Sequence, residues 1–364
     1  MSLASLRRAL ALLAALAVVG CVADPSVTPP GAIGTDSLRG VLVVNEGLRF
    51  QDNSTLTFYD PTSREAVQDY FARQNPGLRL GDTGNDIDIR NARAYIVVST
   101  SQNVEVVELP SGRSLGRIRI GGGDPRKLAI VDDSTAFVTL LASDEIVRVD
   151  PRSLAVGERI AVGPAPEGIA TLAGRLFVAN SGYGFYRRHE PKAGTISVID
   201  ARSGAELVLL EPGPNPVVVQ ADALRGRIYV LYGMAHADSS GGIVAYDAAT
   251  LAEAARWSVP GAGVAGEMAL DASRGRLYLV DGGGDLARID LDSDAPARRF
   301  VQGGPPSTLG YYGVGVSPVD GAIYASSVAS YTLPGRVVVI EPDGRVRDRF
   351  DAGLNPSSFG FVHE

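Results

Sequence analysis

The chain has 364 residues, of which 43 are Gly and 22 Pro, and its formal net charge is −7. Its only lysines are Lys127 and Lys192, and no basic run exceeds Arg187-Arg188, which excludes the electrostatic footprint of a nucleic-acid binder or of a protein held by charge to an anionic membrane. A single cysteine excludes an intrachain disulfide, so stability must come from a buried core, which a chain of this length can supply.

At the N-terminus Arg7 and Arg8 precede eleven apolar residues, Ala9 to Val19. This is an export signal, too short to span a bilayer. Val18-Val19-Gly20-Cys21 resembles the lipobox of bacterial lipoproteins, and the resemblance implies that residues 1–20 are removed and that Cys21 is lipidated. That removal takes two arginines and no acids, moving the charge from −7 to −9. Residues 21–38 then form the lipidated Cys and a tether, because Pro25, Pro29, Pro30 and Gly31 interrupt any apolar period; 17 tether residues reach at most ~60 Å. Val22 after the cysteine, in place of Asp, resembles lipoproteins sorted to the outer membrane.

From residue 39 to 364 the chain repeats. Seven short apolar strands each end in an acid, at Asp60, Glu108, Asp150, Asp200, Asp247, Asp290 and Glu341, spaced by 48, 42, 50, 47, 43 and 51 residues. That period is the length of one four-stranded propeller blade. Upstream of each of the last six acids lies a run with an aromatic inside it: Tyr95, Phe137, Phe177, Tyr229, Tyr278 and Tyr324. Such runs suit strands covered on both faces, so these rings are expected in the core. A parallel α/β barrel would need a helix of about ten or more residues after every strand. Here the intervals are Gly and Pro, and a segment such as Thr250 to Trp257 is too short and isolated to change the class.

Prolines at 125, 166, 216 and 356 precede these runs, where a missing N–H costs no ladder bond at the start of an innermost strand. The last of them opens Pro356 to Val362, which has no aromatic run after it; its continuation is Val41 to Val44 at the other end of the chain. The expected fold is therefore all-β, a seven-bladed β-propeller closed by pairing of the C-terminal strand with the N-terminal blade, which removes the free edges.

The first blades go beyond a generic repeat. Val41-Leu42-Val43-Val44-Asn45-Glu46-Gly47, Asn53 to Asp60, Leu80 to Ile87 and Ala94 to Val98 resemble exported bacterial propeller lipoproteins of the YncE-like or YVTN-repeat type, a DUF5074-like domain of unknown function, with Asn-Glu-Gly the sharpest motif. The resemblance covers most of the mature chain. It implies a monomeric envelope lipoprotein that binds a small molecule or cofactor, with a corrinoid as one candidate, in support of a TonB-dependent outer-membrane transporter; no cofactor is required for such a role.

Where a ligand would bind follows from the repeat. Loops into the innermost strands and loops between second and third strands share one face of a propeller. The fourth blade places Tyr183, Phe185, Tyr186, Arg187 and His189 there, the fifth Tyr232, Met234 and His236, and the seventh Tyr331. Rings supply apolar contact while Arg and His fix orientation. Loops into the innermost strands add Arg126, Tyr311 and Tyr312, together with Asp86, Asp124, Glu167, Asn215, Glu267 and Asn355. Of these, Asp86, Glu167, Asn215 and Glu267 are the oxygen donors a divalent cation in the channel would use, although acids and amides are also ordinary turn formers, and no metal is expected. No His-x-x-x-His pair occurs, and the chain is not read as an enzyme. Two other readings stay open, an envelope scaffold with an exposed apolar patch and a cation-dependent propeller hydrolase.

Overall fold

The computed structural model describes residues 37–184, 186–233, 241–259, 267–301 and 309–363, all within one compact unit, Asp36–Glu364. The signal segment, Cys21 and the tether before residue 37 lie outside the described residues, as do Phe185, Met234 and His236.

Seven four-stranded antiparallel sheets are arranged as blades of a propeller, with strand order following the chain from the inside outward. The innermost strands of blades two to seven are Gly84–Arg90, Pro125–Asp132, Pro166–Leu172, Pro216–Asp222, Met268–Asp271 and Tyr311–Val316. Blade one is completed by the two chain ends. Its innermost strand is Pro356–His363, which pairs antiparallel with Leu38–Asn45, setting Phe361 opposite Val41 and Phe359 opposite Val43. Ring closure is therefore as the sequence predicts. The segment Thr250 to Trp257 contributes to an outer strand, Glu253–Ser258, and not to a helix.

The repeated signals have separable physical causes. Phe137, Phe177, Tyr229, Tyr278 and Tyr324 are fully buried and Tyr95 nearly so, because second strands pack on both sides against neighbouring blades. Four of the seven repeated acids cap the tight turn that follows their third strand. Asp60 accepts the Thr62 N–H (2.7 Å), Asp150 that of Arg152 (2.8 Å), Asp200 that of Ser203 (2.7 Å) and Asp247 that of Thr250 (2.7 Å). These bonds to the charged form hold all four carboxyls below their usual range.

Prolines 125, 166, 216 and 356 are each the first residue of an innermost strand, preceded by a residue with positive φ: Asp124, Ala165, Asn215 or Asn355. Directly after these starts the ladder slips. Register breaks between Gly84 and Asp86, Pro125 and Leu128, Pro166 and Ile169, Pro216 and Val218, and Tyr311 and Val314. A bulge leaves its extra residues unpaired and re-aims their side chains. The residues so released include Asn85, Arg126, Lys127, Glu167 and Tyr312.

Candidate ligand site at the channel mouth

The bulged residues converge at one end of the central channel and form a polar network across it. Arg126 donates to Glu167 (3.1 Å) and to the Asn85 side-chain oxygen (2.8 Å). Lys127 on blade three reaches Asp86 on blade two (3.5 Å) and Glu267 at the start of blade six (3.4 Å). Blades three and six stand on opposite sides of a seven-membered ring, so this contact is a crossbar over the channel. Glu46, in the loop after Asn45, accepts the Tyr312 hydroxyl at 2.9 Å.

Electrostatics follow from burial and pairing. Desolvation raises the carboxyls of Glu46 and Glu267 above their usual range, against the partial relief given by Tyr312 and Lys127. For Lys127 burial favours the neutral amine, but Glu267 and Asp86 outweigh it and hold the ammonium charged; Glu167 does the same for Arg126. Burial and the neighbouring Glu46 charge keep Tyr312 protonated as a donor.

Around the mouth stand the loops between second and third strands. The long loop of blade four is pinned on both sides: Arg187 makes a two-pronged ion pair with Asp144 of blade three (2.7 and 2.6 Å), and the Gly184 N–H donates to Asn215 at the start of blade five (3.0 Å). On this fixed loop Tyr183 and Tyr186 are 51% and 84% exposed, with ring centroids 5.7 Å apart. His189 accepts from Arg188 at the loop's far end, beside a groove of about 550 Å³ bounded by Glu211, Pro214 and Asn215. Across the mouth Tyr331 is exposed and meets Tyr312 edge-on at 6.3 Å.

Three expectations change, and the candidate cation donors prove to be engaged. Tyr311 is buried in the core between blades six and seven, since strand alternation turns it away from the channel; only Tyr312 faces the mouth. Tyr232 lies on a strand, Arg227–Gly233, with Arg256 of the outer strand over its ring and bonded to its hydroxyl (3.0 Å), so it belongs to the blade's side and not to a loop. Arg187 is committed to Asp144 and Glu190 and serves as the loop's anchor. As for the cation donors, Asn215 caps a loop by donating to the Gly233 carbonyl (2.8 Å), while Asp86, Glu167 and Glu267 are taken by Lys127 and Arg126. Among the described residues no three His, Cys, Asp or Glu side chains gather in a metal-binding arrangement.

The network also contains residues that the loop reading did not select. Glu46 was visible inside the Asn-Glu-Gly motif, whose parts now separate: Asn45 is buried, donating to Thr55 and Thr57 (3.1 and 3.0 Å) and accepting from Gly353 (3.0 Å), Glu46 faces the mouth, and Gly47 has φ +77° with no room for a Cβ. Lys127 adjoins Arg126 after the proline, a position the bulge makes equivalent. Phe50, on the same face in blade one, is 73% exposed under Arg49.

Among curated proteins no sequence matches this chain. Solved structures do resemble it: a quinoprotein alcohol dehydrogenase-like protein of Bacteroides thetaiotaomicron (19% identity, TM-score 0.67, covering 89% of this chain and 78% of that one), Kuenenia stuttgartiensis hydrazine synthase (16%, 0.56, 76% and 88%) and virginiamycin B lyase of Staphylococcus aureus (11%, 0.55, 73% and 83%). At such identities what is shared is the propeller fold. Residues 39–340 match the family described as Domain of unknown function (DUF5074), and the chain belongs to that family.

Proposed function

We propose that this protein is a cell-envelope lipoprotein, anchored through Cys21, that captures a small molecule or cofactor on the loop face of its propeller. One observation carries the reading. Among the described residues, every exposed phenylalanine or tyrosine ring, Phe50, Tyr183, Tyr186 and Tyr331, lies in a loop between second and third strands on the face that holds the channel mouth. Exposed rings concentrated on one face mark a contact surface, and a loop pinned by ion pairs loses little entropy when a ligand settles on it. The mouth adds polar groups that could orient a ligand, Arg126, Glu46 and Tyr312. A flat conjugated cofactor such as a corrinoid suits rings of this kind, in line with the resemblance of the sequence to exported capture lipoproteins.

The path of the chain supports the anchor. Leu38, where the described chain enters its first strand, pairs with His363 at the end of the channel opposite the mouth. A lipid at Cys21 would leave the loop face free to meet a ligand or an uptake partner.

Thermal-shift screening of the purified protein against corrinoids, haem, siderophores and sugars tests the capture reading. A hit should lose roughly 30- to 100-fold in affinity in Tyr183→Ser/Tyr186→Ser, about 2 to 2.7 kcal/mol, with the melting temperature unchanged. No hit across the panel, or a variant whose melting point drops as well, would favour the scaffold reading. Fatty-acid labelling tests the anchor separately: Cys21→Ser should abolish the label and release the protein from the membrane fraction, and a wild-type chain that takes up no label removes the anchor from the proposal.

A further inference from the structure

On the face opposite the channel mouth, blades one and two leave a cleft of about 290 Å³ between them. Local structure explains how it is built. In blade two Asn91 and Ala92, both with positive φ, turn the innermost strand into the second, and the Leu109 N–H donates to the Ala92 carbonyl (2.8 Å), tying this turn to the one after the third strand. In blade one the ladder between Leu38–Asn45 and Pro356–His363 slips between Leu38 and Gly40. The residue passed over is Arg39, which stands exposed at the cleft.

The accessible lining of the cleft is mostly hydrocarbon: half-buried Ile89 and Phe361 and the exposed Pro110 open onto it, with Leu109 and Val362 buried behind them. The side chains in it that can carry charge, Arg39, Arg90 and His363, are all basic. Of the acids close by, Glu108 is paired with Arg113 (2.9 Å), while Asp133 accepts from the Arg90 Nε (3.2 Å) and the Asn91 amide (2.7 Å) without lining the cleft. The Arg90–Asp133 pair is 41% and 47% exposed, and so wet a pair holds its arginine only weakly.

An apolar cleft whose ionisable groups are all basic selects an amphipathic anion. A cation is repelled, a bare inorganic anion leaves the hydrocarbon in water, and a neutral apolar molecule forgoes the two-pronged bond that a carboxylate makes with a guanidinium. We propose that this cleft is a binding site for a small carboxylic acid with a linear hydrocarbon body, its carboxylate at Arg39 and Arg90 and its chain against Ile89, Phe361 and Pro110. The volume, near the lower end of small-molecule sites, suits a medium-length chain and not a macrocycle. The site stands apart from the loop face and does not depend on the ligand captured there.

Calorimetric titration of the purified protein with octanoate, alongside butanoate, octanol and octylammonium, tests the proposal. Saturable one-to-one binding of octanoate is expected. Butanoate should bind at least ~10-fold more weakly, having less chain to bury, and octanol at least ~10-fold more weakly for want of a charge-assisted bond; octylammonium should give no saturable heat. Arg39→Gln/Arg90→Gln, which alters exposed side chains alone, should fold as the parent does and weaken octanoate ~10- to 100-fold. Tyr183→Ser/Tyr186→Ser should bind octanoate as the parent does, which separates a failure here from a failure of the loop-face reading. Absence of saturable heat, octanol, octylammonium or butanoate binding as tightly as octanoate, or undiminished affinity in Arg39→Gln/Arg90→Gln overturns the proposal.

Discussion

Removing residues 357–364 is expected to unfold the whole propeller and not merely to fray blade one. The segment is most of an innermost strand and packs in three directions. It pairs with Leu38–Asn45. Phe359 and Phe361 lie against Tyr324 of blade seven, with centroids 6.3 and 5.4 Å apart. Gly360 is backed so closely by Ile87 and Ile89 of blade two that a Cβ there would sit 2.9 Å from both. Losing two packed phenylalanines alone costs about 6 kcal/mol, against a total stability of ~5–15 kcal/mol for a typical domain, and the cut also exposes the edges of a ring that has none. Circular dichroism should show no cooperative melt, whereas a chain lacking only His363 and Glu364 should melt near the full-length temperature. A cooperative melt of the longer deletion within a few degrees of the parent would mean that the ring does not depend on this closure.

Lys127→Met should be the most destabilising single change at the channel. It removes the cation shared by Asp86 and Glu267, and desolvation already penalises the Glu267 carboxylate. Breaking a buried pair from one side typically costs ~3–5 kcal/mol, and since the Lys127 side chain retains 20% exposure to the channel we expect about 2–3 kcal/mol. The sign with pH follows from linkage. An acid whose folded pKa is raised binds protons more readily in the native state, so its penalty is absent at low pH and grows as pH rises through that pKa. Denaturant midpoints should therefore show a Lys127→Met defect that shrinks as pH falls from about 8 toward 5, and adding Glu267→Gln should recover part of the loss. A defect independent of pH would assign Lys127 a packing role.

How far the sequence reached differs between the fold and the site. Asp150, Asp200 and Asp247 announced the turns because their bonds close within three residues, and Tyr229, Tyr278 and Tyr324 announced the core because a run of apolar residues is buried on both faces wherever it lies in the ring. Tyr311 and Tyr312 are adjacent and chemically identical, yet one is core and one faces the mouth; a register slip of the ladder decides between them, and it depends on the partner strand. Arg187 looked like a ligand contact because Asp144, 43 residues away, could not be seen to lie beside it.

The sequence by itself determined the number of blades, the buried rings, the strand starts and the closure of the ring, because each is written in local pattern repeated at one period. Only the tertiary structure decided which polar residues share the channel. Lys127 and Glu267 are 140 residues apart and meet because the ring sets blades three and six across from each other, and bulges after the strand starts, not side-chain type, select the residues that turn inward.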